Sequence, residues 1–149
     1  MGGSSADSKP PARAWIDGAC RGNPGPAAAG WVIVWPDGSR EEGCRALGEG
    51  TNNVAEYRAL LFALERLAER GAARAEIRSD SELLVRQMAG RYKVRHPALK
   101  PLHAEARSLL GRIGPCDIFH VPREENRDAD RLANRALDLD EDCPARDCR

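Results

Sequence analysis

Four acidic residues occupy positions where a carboxylate needs an explanation. Asp17 interrupts the strand-like segment RAWIDGAC, Glu56 lies near the start of a long helical pattern, Asp80 ends the segment ARAEIRSD, and Asp130 lies in the last helical pattern. Aspartate is depleted from strands, and a carboxylate removed from water is costly unless it is paired or bound to a cation. Carboxylate oxygens suit hard divalent ions such as Mg²⁺ or Mn²⁺. The sequence therefore predicts a divalent metal centre.

Helix capping offers a second explanation for two of these acids. Glu56 lies three residues after Asn53, the spacing of an asparagine cap with a glutamate that reaches back to it. Asp80 could cap the following helix, although Ser79 and Glu82 form a better capping box there. No capping explanation covers an acid inside a strand, so Asp17 has the fewest alternatives to a metal.

Asp130 could instead be a solvated charge among the surrounding arginines. Asp128 suits that role better because it lies nearer the start of the helix and three residues before Arg131. Asn126 and Asn134 lie one turn to either side of Asp130, on the same helix face. This arrangement keeps Asp130 as a candidate metal ligand.

The apolar pattern changes from strand-like to helical at Thr51. Before it, short apolar segments separated by Gly, Asn and Pro predict an antiparallel meander. After it, helical and strand-like segments alternate, which predicts a mixed α/β sheet with helices on its faces. In such sheets ligands bind beyond the carboxyl ends of strands, where Asp80 falls. The predicted elements are strands in RAWIDGAC, AAAGWVIVW and SREEGCRAL, a helix from Thr51 to Gly71, a strand in ARAEIRSD, helices in SELLVRQMAG and HPALKPLHAEARSLLGRIG, a strand in CDIFHVP and a helix in NRDADRLANRALD.

Length and composition fit one globular domain. The chain has 149 residues, 42% of them hydrophobic, and 23 Lys plus Arg against 23 Asp plus Glu, so any nucleic-acid binding must come from local patches. We expect a disordered leader at 1–12, the folded domain at 13–139 and a C-terminal tail at 140–149. Without a membrane-spanning apolar run or a secretory signal, the protein is expected to be cytoplasmic and to have no membrane contact. We also expect a monomer.

The five cysteines are scattered through the sequence. Their odd number and irregular spacing argue against a disulfide framework and favour reduced thiols. Cys143 and Cys148 leave two alternatives open, because they could close a small loop or bind a metal, although a zinc site needs four ligands.

Each of the four acids lies within a longer motif. The motifs are DGACRGNPGP from Asp17, GTNNVAEYRALLFAL with Glu56, RSDSELLVRQMAG with Asp80 and VPREENRDADRLANRA with Asp130. In this order the chain resembles ribonuclease H, type 1, over nearly all of its predicted domain. The resemblance implies the α/β ribonuclease H-like fold, a five-stranded mixed sheet whose second strand is antiparallel, flanked by helices. It also implies endonucleolytic hydrolysis of the RNA strand of RNA/DNA hybrids, leaving 5′-phosphate and 3′-hydroxyl ends.

The resemblance further implies a catalytic centre with two Mg²⁺ ions, for which Mn²⁺ can substitute. Asp17, Glu56, Asp80 and Asp130 would be both the catalytic residues and the metal ligands, with Asp17 bridging the two ions. Asp130 would help to hold the ion that activates the attacking water. Glu56 and Asp80 would hold the ion that stabilises the leaving 3′ oxygen.

Eight further residues are expected to contact the hybrid. By the same resemblance, the loop after Asp17 and the asparagine pair before Glu56 read 2′-hydroxyls across the minor groove, Thr51 contacts a DNA phosphate, and Tyr92 contacts the DNA strand. Tyr92 lies in a small basic patch. The alternative is that Asn and Gly are turn formers, with Asn53 as a helix cap. The expected substrate-binding residues are Gly18, Cys20, Asn23, Thr51, Asn52, Asn53, Tyr92 and Asn126, and the patch around Tyr92 is Arg91, Lys93 and Arg95.

Two features of the family are missing. Some members carry a lysine-rich helical insertion that grips the hybrid, but here GRYKVRHPALKP passes directly to the next helix, which predicts weak binding with a shallow salt dependence. Many relatives also have a mobile histidine before the last helix, and HVPREEN has none in that place. Arg123 or Glu124 is expected to assist product departure, unless that step goes unassisted, and His120 is expected to be structural.

Two other functions fit the same fold. A hybrid-binding module that has lost catalysis is one, and the presence of all four acids argues against it. A DNA-cutting nuclease is the other, and the 2′-hydroxyl chemistry expected of the Asn and Gly loop argues against that.

Overall fold

The computed structural model describes residues 10–148, with side chains described through Cys143. The first nine residues of the expected leader lie outside the described residues, and the first strand begins at Ala12. The strands are β1 (Ala12–Cys20), β2 (Gly25–Val34), β3 (Arg40–Gly50), β4 (Ala75–Ser79), β5 (Cys116–His120) and β6 (Cys143–Cys148). The helices are α1 (Asn52–Glu69), α2 (Glu82–Met88), α3 (Lys100–Leu110) and α4 (Arg127–Leu139), with a 3-10 turn at Arg123–Glu125.

The strands form one mixed sheet in the order β5-β4-β1-β2-β3-β6. β2 is antiparallel to β1 and β3, whereas β1, β4 and β5 are parallel. The predicted five-stranded mixed sheet with an antiparallel second strand is therefore confirmed, and the tail adds a sixth strand. In the parallel pairing of β1 with β4, Ile16 lies opposite Ser79. The next residues, Asp17 and Asp80, therefore lie beside each other at the carboxyl end of β4.

Helices cover both faces of the sheet. α1 packs on β1 and β2 with α3 against it, and α4 packs across β1, β2 and β3 on the other face. α1 places Leu60, Leu64 and Leu67 in the core, each fully buried, as its helical periodicity requires. In residues 10–148 no helix is long and apolar enough to cross a membrane.

Thr51 begins α1. Its side chain accepts a hydrogen bond from the backbone N–H of Val54 at 3.2 Å, which satisfies one of the free N–H groups at the helix start. Asn53 lies inside the first turn, so its expected role as the cap is wrong. Glu56 therefore does not belong to an Asn53 capping box.

Ser81 begins α2. Its hydroxyl accepts from the N–H of Leu84 at 3.2 Å, whereas the Ser79 hydroxyl accepts from the N–H of Ser81 at 3.0 Å. The expected Ser79 cap is therefore displaced by two residues. Asp80 lies between the two serines and does not cap this helix.

Cys143 at the start of β6 forms a disulfide with Cys44 in β3, with a Cα–Cα distance of 4.7 Å. The expectation of reduced thiols is wrong for this pair, while Cys20 and Cys116 are free. Cys143 does not pair with Cys148, whose side chain lies outside the described part of the chain. The bonded cysteines are 99 residues apart, and only the pairing of β6 with β3 brings them together.

Reduction of this disulfide should lower the free energy of unfolding by about 2–4 kcal/mol, because the bond closes a long loop in the unfolded chain. Urea denaturation with and without a reductant measures the change. Cys143→Ser should remove the response to reductant, whereas Cys116→Ser should leave it intact. A wild-type midpoint that does not move with reductant would contradict the bond.

Candidate metal centre

The predicted acids converge at one end of the sheet. Carboxylate oxygens of Asp17, Glu56 and Asp80 all lie within 4.8 Å of one another. Asp130 from α4 lines the same open cleft, which has a volume of about 630 Å³. Acids from four separate motifs therefore share one site.

Gly18 lets α1 approach β1 closely. A Cβ at this position would lie 2.4 Å from the backbone N of Glu56 and 2.5 Å from the backbone carbonyl carbon of Ala55. The Gly18 N–H donates to Oε1 of Glu56 at 2.8 Å, which fixes that carboxylate beside Asp17. Gly18 therefore has a positioning function, and its contact with a hybrid stays a prediction.

Burial and mutual repulsion favour the protonated forms of two of these acids. Asp17 is 4% exposed and Glu56 is 5% exposed. Burial, followed by the charges of Glu56 and Asp80, raises the pKa of Asp17 to about 10. Burial and the charge of Asp80 raise the pKa of Glu56 to about 8, against the opposing effects of the Gly18 N–H and the Arg123 charge. Because these buried carboxyls are difficult to ionise together without a positive charge nearby, the cluster favours a bound cation.

Asn134 orients Asp130. Its Nδ2 donates to the backbone oxygen of Asp130 at 2.9 Å and to Oδ1 of the carboxylate at 3.1 Å. The two residues are one helical turn apart, so they share the face that lines the cleft. From the sequence, Asn134 was expected on this helix face but was assigned no function. Its position four residues after Asp130, where a side-chain amide can reach the carboxylate, was the available signal.

Asn134→Leu should lower kcat for the proposed cleavage by about 10- to 100-fold, because a partner that orients a carboxylate expected to bind the metal is lost. The Mg²⁺ concentration for half-maximal rate should rise as well. Steady-state rates over a Mg²⁺ series measure both effects. Arg135→Leu, at the neighbouring exposed position, should change neither, and an Asn134→Leu enzyme with normal Mg²⁺ dependence would contradict the role.

Asn126 lies beneath the cleft rather than on its surface. It is 1% exposed, and its Nδ2 donates to the backbone oxygen of Ile16 at 2.8 Å. The side chain is buried against the backbone of β1, which gives it a structural role, and its expected contact with the hybrid stays a prediction. Asn126 anchors the start of α4 beside Asp17.

Other predicted substrate-binding residues lie around the cleft. Asn23, Asn52 and Asn53 are exposed, and Oδ1 of Asn23 accepts from the N–H of Asn52 at 3.1 Å. Cys20 lines the cleft, and its Sγ donates to the backbone oxygen of Gly22 at 2.6 Å. The bond between Asn23 and Asn52 joins the loop after β1 to the start of α1. Binding of a hybrid by these residues stays a prediction.

The three residues considered for a role in product departure lie in two different cavities. Arg123 and His120 line the cleft, whereas Glu124 lines a different cavity beside Trp15 and Arg40. Arg123 is therefore the better placed of the first two candidates. His120, expected to be structural, is exposed.

Tyr92 lies outside the cleft, in a separate cavity beyond the end of α2. Its ring is 47% exposed. Arg86 donates to its hydroxyl at 3.1 Å and places its guanidinium 5.2 Å from the ring centre. An exposed, fixed aromatic ring is compatible with the expected contact to a DNA strand, which stays a prediction.

Comparison with known proteins gives the chain's relatives. Ribonuclease HI of Halobacterium salinarum is 48% identical over 126 residues, which are 84% of this chain and 63% of that protein. The bifunctional protein Rv2228c of Mycobacterium tuberculosis is 46% identical over 124 residues, which are 82% of this chain and 34% of that protein. The chain thus spans less than two thirds of the first relative and about a third of the second.

A solved structure and a family model agree with these relatives. The crystal structure of LC11-RNase H1 in complex with RNA/DNA hybrid matches with a TM-score of 0.81 and 44% identity, over 87% of this chain and 98% of that one. The family model described as reverse transcriptase-like matches residues 15–136. With this fold and these relatives, the chain belongs to the type 1 ribonuclease H family.

Proposed function

We propose that this protein cleaves the RNA strand of RNA/DNA hybrids endonucleolytically, leaving 5′-phosphate and 3′-hydroxyl ends. The observation that carries the proposal is the approach of three carboxylates within 4.8 Å in an open cleft. The family relationship supports the reaction, and the hybrid complex of LC11-RNase H1 supports the substrate.

The donor set fits divalent cations. The carboxylates of Asp17, Glu56, Asp80 and Asp130 offer oxygen ligands only, and hard ions such as Mg²⁺ prefer these. The raised pKa values of Asp17 and Glu56 indicate that a cation would relieve repulsion in the cluster. We propose two Mg²⁺ ions, with Mn²⁺ as a substitute. When bound, they would lower the pKa of the attacking water and offset the charge on the leaving 3′ oxygen.

The neighbouring residues fix this arrangement and choose the strand. The Gly18 N–H holds Glu56, and Asn134 holds Asp130, so two of the acids have restricted orientations before any ligand binds. The exposed amides of Asn23 and Asn52 can bond the 2′-hydroxyls that distinguish RNA from DNA. The asparagines at the rim of the cleft would then select the RNA strand, and the acids on its floor would hold the ions that promote cleavage.

We further propose an oligomeric state, an active residue range and a cellular location for the protein. All four acids come from one chain, which supports a monomer that acts through residues 13–139. We place this activity in the cytoplasm. Sedimentation equilibrium with and without hybrid tests the monomer.

Incubation of a labelled hybrid with the protein and Mg²⁺ tests the function. We expect internal cuts in the RNA strand, no cuts in single-stranded RNA or duplex DNA, and loss of cleavage in EDTA. Binding without cleavage would favour the silent hybrid-binding module. Cleavage of an all-DNA duplex would favour the DNA-cutting nuclease.

A further inference from the structure

Two polar side chains face each other in the core between α1 and α2, where their neighbours are apolar. The hydroxyl of Tyr57 donates to Oε1 of Gln87 at 2.6 Å, and the two residues are 1% and 5% exposed. A buried hydrogen-bonded pair contributes little more stability than two well-packed apolar side chains, but its directional geometry specifies how two segments align. The pair therefore sets the alignment of α2 on α1.

α3 holds the same end of α2. Nε2 of His103 lies 3.3 Å from the backbone oxygen of Gln87, and because a carbonyl oxygen only accepts, His103 is the donor. The His103 ring also meets the Tyr57 ring edge-on, with 6.4 Å between the ring centres. Gln87 is thus bonded to α1 through its side chain and to α3 through its backbone. We call Tyr57, Gln87 and His103 the α2 anchor.

Asp80 differs from the acids of α1 and α4 in the way it is held. The Gly18 N–H orients Glu56 and the Asn134 amide orients Asp130, whereas within residues 10–143 no group donates a hydrogen bond to the carboxylate of Asp80. Asp80 follows the last residue of β4, and α2 begins two residues later. The position of this carboxylate therefore depends on the backbone, which β4 fixes on one side and α2 on the other.

The α2 anchor is connected to two of the acids through short stretches of chain. Tyr57 is the residue after Glu56 in α1. Gln87 lies near the far end of α2, which has seven residues and a length of about 10 Å. Because α2 is so short, a shift of α2 along α1 would also move Asp80. A carboxylate oxygen of Asp80 lies within 4.8 Å of one from Glu56, so this shift would change the separation of the two acids.

We propose that Tyr57 and Gln87 are positioning residues of the metal centre. Their hydrogen bond, supported by His103, sets the separation of Asp80 from Glu56 and through it the affinity for the divalent ion that these two acids would share. This inference rests on the proposed function and deepens it, because it assigns a function at the metal centre to residues of the core. Loss of the bond should lower the affinity for the ion even where the fold is intact.

Two variants separate positioning from stability. Tyr57→Phe leaves Oε1 of Gln87 buried without a donor, so the melting temperature should fall by about 5 °C. Tyr57→Phe/Gln87→Met removes both polar groups at nearly unchanged volume, so most of that fall should be recovered. In both variants the Mn²⁺ concentration for half-maximal cleavage of the hybrid should rise about tenfold, near the lower end of the effect of losing a group that orients metal ligands.

Mn²⁺ binding without hybrid gives a second measurement that does not depend on cleavage. The electron paramagnetic resonance signal of free Mn²⁺, followed while the protein is titrated, should give a Kd about tenfold higher for both variants than for wild type. At saturating Mn²⁺, KM for the hybrid should stay at the wild-type value, because Tyr57 and Gln87 are buried in the core.

Ile33→Val is the matched control, because Ile33 is fully buried in β2 and lies outside the cleft that contains the acids. The lost methylene should lower the melting temperature by about 3 °C and leave the Mn²⁺ dependence unchanged. Equal Mn²⁺ dependence in the double variant and in this control, with normal cleavage by wild type, would overturn this inference and leave the proposed function standing. Absence of hybrid cleavage by wild type would overturn the proposed function itself.

Discussion

Asp17→Asn should reduce cleavage of a hybrid by roughly 10³-fold or more, the scale of losing a group that acts directly on developing charge, while making the metal-free protein more stable. A carboxylate oxygen of Asp17 lies within 4.8 Å of carboxylate oxygens of Glu56 and Asp80. Without a cation, folding at a pH above the ordinary pKa of Asp17 requires the carboxyl either to bind a proton or to be buried as a repelled charge, and the amide requires neither. The free energy of unfolding should therefore rise by about 1–2 kcal/mol, of the order of one pKa unit.

The same acids give the metal-free protein a characteristic pH dependence. A carboxyl whose pKa is raised by folding binds more protons in the folded state, so stability is full below the unfolded pKa and is lost as pH rises. The window runs from 3.8 to about 10 for Asp17 and from 4.5 to about 8 for Glu56. Asp17→Asn should flatten this decline, and Mg²⁺ should stabilise wild type more than the variant.

Urea denaturation in EDTA across this pH window, beside cleavage assays in Mg²⁺, measures both effects. Asp117→Asn is the control, because Asp117 is an exposed acid of β5 and its loss should alter neither result. An Asp17→Asn protein that cleaves at the wild-type rate would contradict the metal centre. A variant less stable than wild type in EDTA would contradict the repulsion.

Gly18→Ala should cost about 3 kcal/mol or more of stability and about 100-fold in cleavage rate. The added methyl carbon would lie 2.4 Å from the Glu56 backbone and 2.5 Å from the Ala55 backbone. Backbone cannot rotate away as a side chain can, so α1 must move relative to β1, at or above the upper range of overpacking costs. That movement separates Glu56 from Asp17, and a displacement of about 1 Å between reacting groups can cost 100-fold.

Gly50→Ala is the matched control, since its methyl carbon would meet only the Ala27 side chain, at 3.6 Å, an ordinary contact. Thermal unfolding and cleavage rates of both variants make the comparison. Gly50→Ala should stay within about 1 kcal/mol of wild type. A Gly18→Ala protein as stable and active as Gly50→Ala would show that close packing of α1 on β1 does not position the acids.

The sequence predicted the parts of the fold and site that depend on local pattern. A lone aspartate inside an apolar strand requires a partner wherever the strand lies, and Asp80 follows a strand whose carboxyl end faces ligands in any parallel arrangement. The switch to helical periodicity at Thr51 likewise located α1. For these features the residue type and its immediate neighbours contain the information.

Other features depend on contacts between distant segments. The Cys44–Cys143 bond exists because β6 pairs with β3, and nothing near either cysteine in the sequence indicates that pairing. Asn126 has the residue type of a substrate ligand, but only the packing of α4 on β1 shows that its amide is used internally. The predicted helix caps, Asn53 and Ser79, each lie two residues away from the observed caps, Thr51 and Ser81. Several adjacent polar residues can cap a helix equally well when only the local sequence is considered.

The distribution of the four acids along the chain sets the order in which the proposed metal centre can form during synthesis. Asp17, Glu56 and Asp80 leave the ribosome early, whereas Asp130 belongs to the last helix. A nascent chain that has folded its first strands and α1 still lacks the fourth acid and the Asn126 anchor. The centre is complete only when α4 docks, so we expect a growing polypeptide to lack the full set of acids until α4 has emerged and packed on the sheet.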